Sequence, residues 1–395
     1  MTKRQQYIII LILGAIAALG PFSIDMYLPG FSAIAKDLNT DVASVGLTLT
    51  SYFIGISVGQ LIYGPLVDRY GRKKPLLIGL FIYLVAALGC ALSPSIDWLI
   101  ALRLILALGG CVGMVASRAI VRDIFPVNET ARVFSTLLLV MGIAPIIAPT
   151  IGGYVTSAFG WKYIFIILSA ISAVLILLVY RGLAETKEFD PTVSLKPGKV
   201  AKGYFEVLKN REFLTFSMAG SVTMAGMFTY ITGSPFVLME IYGFSETEFG
   251  WIFGLNAFGF IAGSQVNRAW LRKRSTESIS NITAVILFLV GCVLTFAHFS
   301  NILNAPLLLT LLFLFLFFLG FLNPNTTALA LEPFTKNAGV ASALIGSLRM
   351  FSGAVASALI SFFFDGTELP MITIMMSCAV IVLILTQYYK SKARA

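Results

Sequence analysis

Twelve apolar stretches divide this chain of 395 residues, at about 7–29, 42–66, 75–92, 98–117, 133–157, 162–180, 213–239, 249–267, 279–299, 305–331, 339–364 and 370–389. About 20 apolar residues in helical form cross the ~30 Å of hydrocarbon in a bilayer. Each of these runs meets that length or comes close to it. Lipid offers the backbone no hydrogen-bond partner, so each crossing segment has to be a helix. Charged residues make up only 12% of the chain, about half the share found in soluble domains. The expectation is an all-α integral membrane protein of twelve transmembrane helices, with no room for a separate soluble domain.

The formal net charge of +9 does not point to nucleic acid, because of where the bases fall. With alternate loops assigned to opposite sides, one side and both tails hold 24 of the 28 Lys and Arg residues. Lys36 and Lys162 alone lie on the other side. Lys and Arg collect in short cytoplasmic loops, so both termini are expected in the cytoplasm. The first apolar run continues to Leu28, past the 7–15 residue core of a cleaved signal, and reads as an uncleaved span. Cys90, Cys111, Cys292 and Cys378 all lie within spans, which argues against a disulfide framework.

The chain repeats. A shift of 199 residues places Gly55, Gly64, Val67 and Arg69 on Gly254, Gly263, Val266 and Arg268, and Asp68 on Asn267. A second echo lays Phe125–Met141 over Phe334–Met350. Two such six-span units are how two-halved transporters are built, with the site at mid-membrane between them. The expected division is 1–181, a polar cytoplasmic linker at 182–210, and 211–395.

Three charges fall inside spans: Asp25, Arg103 and Arg349. Such residues cost at least ~2.5 kcal/mol in hydrocarbon and usually face a cavity or a partner. Asp25 follows Gly20-Pro21, a pair expected to break or bend the first span. Burial favours the neutral form of a carboxyl and a nearby cation the charged form. An acid in a cavity that alternately sees each side can therefore carry a proton across, and Arg103 can tune it. The sharpest loop is Gly64 to Leu76, GPLVDRYGRKKPL. Gly71 allows a tight turn, and Asp68 can cap a helix or meet an arginine. Topology alone would explain its bases, but not Asp68 or the glycines.

Asp25-Met26-Tyr27-Leu28-Pro29 resembles the signature of the bicyclomycin/chloramphenicol-resistance (Bcr/CflA) subfamily of drug:proton antiporters in the major facilitator superfamily. The loop is similar to that superfamily's first motif at Gly64, Leu66, Asp68, Arg69, Gly71, Arg72 and Lys73. The resemblance implies a cytoplasmic latch of Asp68, Arg69 and Arg72 with Asp123, and a fourth-span arginine at Arg103 in proton coupling. Leu106 and Ala107 stand where that arginine motif often has glutamine and glycine. The fifth span resembles the antiporter motif at Gly142, Pro145, Pro149, Gly152 and Gly153, with Ala144 and Ala148 replacing two of its glycines. The resemblance covers the full length. It implies the major facilitator fold with a central cavity between the halves. It also implies multidrug efflux driven by proton influx, in the bacterial inner membrane.

Candidate cavity residues are Tyr27, Tyr52, Gln60, Phe228, Tyr230, Asn256, Asn323, Asn325 and Arg349. Asn323-Pro324-Asn325 reads as two amides flanking a helix break. Walls of this kind suit neutral or weakly charged amphipathic compounds. The alternative is a carrier of one metabolite such as an amino acid, with Arg349 as a second cavity cation. Gly55-Ile56-Ser57-Val58-Gly59 imitates a hydrolase elbow, but that motif needs a strand-turn-helix setting and a histidine. The sole histidine, His298, ends the ninth span, so Gly55 and Gly59 read as helix-crossing residues. No nucleotide fingerprint or metal spacing appears. The expectation is a secondary transporter rather than an enzyme, monomeric, without cofactor or metal, whose partners are a small-molecule substrate, protons and lipid.

Overall fold

A computed structural model describes residues 3–334 and 338–392. Its regular structure is helical: α1 (Lys3–Asp25), α2 (Phe31–Asp37), α3 (Val42–Tyr70), α4 (Lys73–Ala91), α5 (Ile96–Ile124), α6 (Val127–Phe159), α7 (Lys162–Gly182), α8 (Pro197–Leu208), α9 (Arg211–Ser234), α10 (Glu246–Trp270), α11 (Thr276–Phe299), α12 (Ala305–Leu331), α13 (Ala338–Phe363) and α14 (Leu369–Lys392). Among the described residues, eleven helical stretches are long and apolar enough to cross a membrane. The region expected as the eighth span forms α10, a helix of 25 residues. Asn256, Ser264, Gln265 and Asn267 lower its apolar character, and it is not one of those eleven. The linker is not wholly irregular, since it contains α8. The helices gather into two compact units, Met1–Lys202 and Gly203–Ala395.

Local chemistry fixes the helix starts. Asp41 accepts from Ser44 N at 2.6 Å to cap α3, and Ser245 with Glu248 forms a reciprocal capping box on α10. Each such cap satisfies amides that have no partner within their helix.

In the first unit α3 packs on α5, α5 on α4, α4 on α7, and α1 on α6. Helices in lipid associate through close approach rather than a hydrophobic drive, so small residues decide where they cross. A Cβ on Gly55 would lie 2.6 Å from Ala107 Cβ, and one on Gly59 2.9 Å from Cys111 Cβ. The glycines of the hydrolase-like pattern are therefore α3–α5 crossing residues. In the second unit α10 packs on α12, α9 on α13, and α11 on α14. Gly263 and Gly320 let α10 and α12 touch, each within about 2 Å of the other helix's backbone oxygen if given a Cβ.

Two expected breaks are absent. α1 runs through Gly20-Pro21 and unwinds only after Asp25, where Leu28–Gly30 form one turn of 3₁₀ helix before α2. α12 likewise continues through Pro324 to Leu331. A proline costs a helix one hydrogen bond, and neighbouring groups in a membrane bundle can satisfy the freed carbonyl.

Candidate functional site

Asp25 is the last residue of α1. It is 3% exposed, and its carboxylate makes no hydrogen bond or ion pair among the described residues. Gly152 holds α6 against this turn. A Cβ there would lie 2.0 Å from Met26 O, so only glycine lets α6 touch the backbone next to Asp25. Gly142, Pro145, Pro149 and Gly153 lie along the same helix.

Arg103, on α5, is completely buried. It does not reach Asp25. Its Nη1 donates to Ser23 O at 2.9 Å, a carbonyl in the last turn of α1, where helix ends leave acceptors without partners. Its guanidinium carbon lies 4.4 Å from the Tyr52 ring centroid and 4.7 Å from that of Tyr27. A desolvated cation over aromatic faces gains about 2 kcal/mol. Nε and Nη2 have no hydrogen-bond partner. A hydroxyl network surrounds this box: Ser23 Oγ meets Tyr83 OH at 2.6 Å, and Tyr27 OH meets Thr48 Oγ1 at 2.9 Å. Gln60 is also buried in this unit. The first unit thus places an acid and a cation in one buried region without pairing them. Ser23, Tyr83 and Thr48 were not anticipated; small hydroxyls in a span look like ordinary crossing residues.

The loop after α3 is a closed electrostatic knot. Gly71 adopts φ 84° and ψ −178°, a region essentially restricted to glycine. Arg72 donates through Nε to Asp123 at 2.8 Å, through Nη1 to Asp68 at 2.8 Å, and to Val67 O at 2.7 Å. Burial opposes its charge, but Asp123 and Asp68 outweigh that and raise its pKa above the ordinary arginine value. Gly64 lies within α3, two turns before the knot.

A residue that sequence reasoning left in the linker completes this knot. Glu185 accepts from Arg72 N at 2.6 Å and Lys73 N at 3.1 Å. Its carboxylate sits on the N-terminus of α4, where the helix dipole favours an anion. Thr186 Oγ1 donates to Asp123 at 3.0 Å. Further on, Arg69 Nη1 donates to Val193 O at 2.9 Å, and Asp190 N donates to Arg69 O at 2.9 Å. The segment 185–193 is thus a strap across the loop. A Cβ on Gly71 would lie 2.7 Å from both the Glu185 carboxyl and Lys187 O. The only signal for Glu185 in the sequence was an acid just past the sixth span, on the same side as the loop's bases.

In the second unit, Asn256 Nδ2 donates to Tyr230 OH at 3.0 Å, and Tyr230 stacks on Phe253 at 5.2 Å. Asn325 and Asn267 form a reciprocal amide pair at 2.9 and 3.0 Å. Asn267, the repeat counterpart of Asp68, is therefore in a neutral pair where Asp68 is in an ionic one. Arg349 Nη2 donates to Asn323 O at 3.1 Å and Thr327 Oγ1 at 2.8 Å, engaging α12 rather than standing as an isolated cation. Phe228 is buried against Gly353. His298 Nδ1 lies 3.2 Å from Glu368 Oε1. No group of acids, Cys and His fit for a metal ion occurs among the described residues.

Comparison with known proteins agrees with this architecture. A family model described as Major Facilitator Superfamily matches residues 11–357. An uncharacterized MFS-type transporter of Bacillus subtilis, YdgK, is 36% identical over 96% of this chain and 94% of that protein. A bicyclomycin resistance protein homolog of Haemophilus influenzae is 33% identical over 96% and 95%. Multidrug resistance protein D of Escherichia coli is 27% identical over 90% and 89%. Among solved structures, a bacterial homolog of the human lysosomal transporter Spinster in an inward-facing, occupied conformation superposes with a TM-score of 0.75 at 14% identity, over 100% of this chain and 98% of that one. A D-xylose–proton symporter gives 0.73 at 14%, over 95% and 97%. At such identities these two speak for the fold alone, while the relatives and the family match make this chain a multi-pass membrane transporter of the major facilitator superfamily, not an enzyme.

Proposed function

We propose that this transporter exports small drug-like or amphipathic compounds across the bacterial inner membrane in exchange for protons, by alternating access. Both termini lie in the cytoplasm, residues 1–181 and 211–395 act as the two halves, and 182–210 joins them. The protein works as a monomer and needs no cofactor, because the proton gradient is the energy source. The reading is carried by Asp25: a buried carboxyl with no cation on it, at a helix end against which Gly152 lets α6 pack. Such a group can exchange a proton without first breaking an ion pair. Arg103, parked on Ser23 O and two tyrosine rings, keeps two nitrogens available to meet Asp25 when it is charged. The names of the relatives, a bicyclomycin resistance homolog and multidrug resistance proteins, support a drug as the cargo.

The test uses purified protein in liposomes with an imposed pH gradient and a pH-sensitive dye. A panel containing chloramphenicol, a sulfonamide and several amino acids is added in turn. A drug should dissipate the gradient with the wild type and fail to do so with Asp25→Asn at equal incorporation. Response to an amino acid alone would replace the drug reading with the metabolite one. An Asp25→Asn protein that still pumps drug against its gradient would remove Asp25 from the coupling.

A further inference from the structure

Where the 185–193 strap leaves Arg69, the chain encloses an open groove of about 520 Å³ lined by Arg69, Thr192, Ser194, Lys196 and Lys199. Three of these carry positive charge, two carry hydroxyls, and no acid lines the groove. Among the described residues none of the three cations has an acid partner. Arg69 spends one bond on Val193 O and lies over the rings of Tyr70 and Phe189, 5.8 and 5.7 Å from their centroids. The neighbouring acid, Asp190, is already committed. Its Oδ1 accepts from Thr192 Oγ1 and Thr192 N, and its Oδ2 lies 3.8 Å from Lys187 Nζ. Those Thr192 bonds hold its carboxyl below the usual range.

We infer that this groove binds the phosphate of an anionic phospholipid headgroup. Arginine and lysine converging with the Ser194 hydroxyl suit phosphate oxygens, while Thr192, already donating to Asp190, shapes the wall. Basic pockets beside a span on the cytoplasmic side are where anionic headgroups collect. A lipid is favoured over a soluble phosphate by what stands beside Arg69. The exposed Tyr70 and Phe189 pair their rings at 5.7 Å at the very end of α3, and exposed aromatics at a span end mark the membrane–water boundary. An occupant would tie the strap to the end of α3 and so hold Glu185 over α4.

The experiment places the full chain in nanodiscs of phosphatidylcholine, with or without phosphatidylglycerol, and follows amide hydrogen exchange of residues 185–196. With phosphatidylglycerol at ten times its Kd, opening that requires an empty groove should slow about tenfold. K196Q/K199Q should abolish the slowing. K202Q/K209Q, which loses the same charge outside the groove, should keep it. Slowing by inorganic phosphate in phosphatidylcholine discs to the same extent would keep the phosphate groove and overturn the lipid as its occupant. No slowing, or equal loss in both double variants, would overturn the site itself. Exchange is read without transport, so this result stands apart from the export assay. K196Q/K199Q should transport like the wild type in neutral bilayers.

Discussion

Gly152 and Gly20 are both glycines of the Asp25 neighbourhood, and they answer to different forces. A Cβ on Gly152 meets Met26 O at 2.0 Å, whereas one on Gly20 meets nothing within 4 Å beyond its own chain neighbours. Overpacking a close contact typically costs 1–3 kcal/mol, about as much as many single substitutions can cost in total. Gly152→Ala is therefore expected to lower the melting temperature in detergent and to weaken the drug-induced proton signal, since α6 has to withdraw from the turn that carries Asp25. Gly20→Ala should cost less, since its Cβ meets only the ring of the following Pro21, and the better helix propensity of alanine offsets part of that clash. Equal melting temperatures for the two variants would mean that α6 does not bear on the turn as described.

At the scale of an element, the first turn of α4 depends on a residue more than a hundred positions away. Glu185 supplies a charge to an N-terminus whose own sequence is basic at Arg72, Lys73 and Lys74. Glu185→Gln keeps an acceptor oxygen but removes the charge, which is worth about 0.3–1 kcal/mol at a helix N-terminus. Faster exchange of the Arg72 and Lys73 amides, with the rest of α4 unchanged, is the expected outcome; unchanged exchange would show that the strap carries no load there. The same element shows what a sequence can display. The spans were legible because a run of about 20 apolar residues has one stable form in lipid. Arg72 and Asp123 could be matched on paper because the superfamily's first motif sets its charges against an acid after the fourth span, and they lie 2.8 Å apart. Glu185 was hidden, because a linker rich in Lys and Glu offers many acids and nothing in its spacing selects one. Gly20-Pro21 and Pro324 misled for a related reason. A proline breaks an isolated helix, but α1 and α12 are held by neighbours, and the chain unwinds instead at Tyr27–Gly30, where Pro29 follows directly on the buried turn. Arg103 was legible as a buried cation, whereas its seat on Ser23 O depended on where α1 ends.

Across the whole molecule the two sequence repeats have diverged in charge. The first unit closes its α3–α4 loop with Asp68, Arg72 and Asp123, while the second has Asn267 paired with Asn325 in the corresponding helices. A neutral amide pair has little to gain or lose as a gate hydrates; an ion cluster can be broken by water and re-formed. In the proposed export cycle that difference would put the switching in the first unit, and it predicts an order of effects. Asp68 is 52% exposed in its pair with Arg72, whereas Asp123 is 23% exposed. Exposed pairs are worth about 0.2–1 kcal/mol, and hydrogen bonds to charged groups in shielded positions about 1.5–3 kcal/mol. Asp68→Asn, which makes this position like its counterpart Asn267, should therefore slow cycling modestly while drug binding is retained. Asp123→Asn should slow it more, because it also weakens the Thr186 hydroxyl's hold on the strap. Binding measured by tryptophan fluorescence quenching, alongside liposome flux, separates the two steps. If Asp68→Asn abolished binding, or if it slowed flux more than Asp123→Asn, the cluster would not be acting as a latch, since its more exposed half would then be contributing more than solvent screening allows.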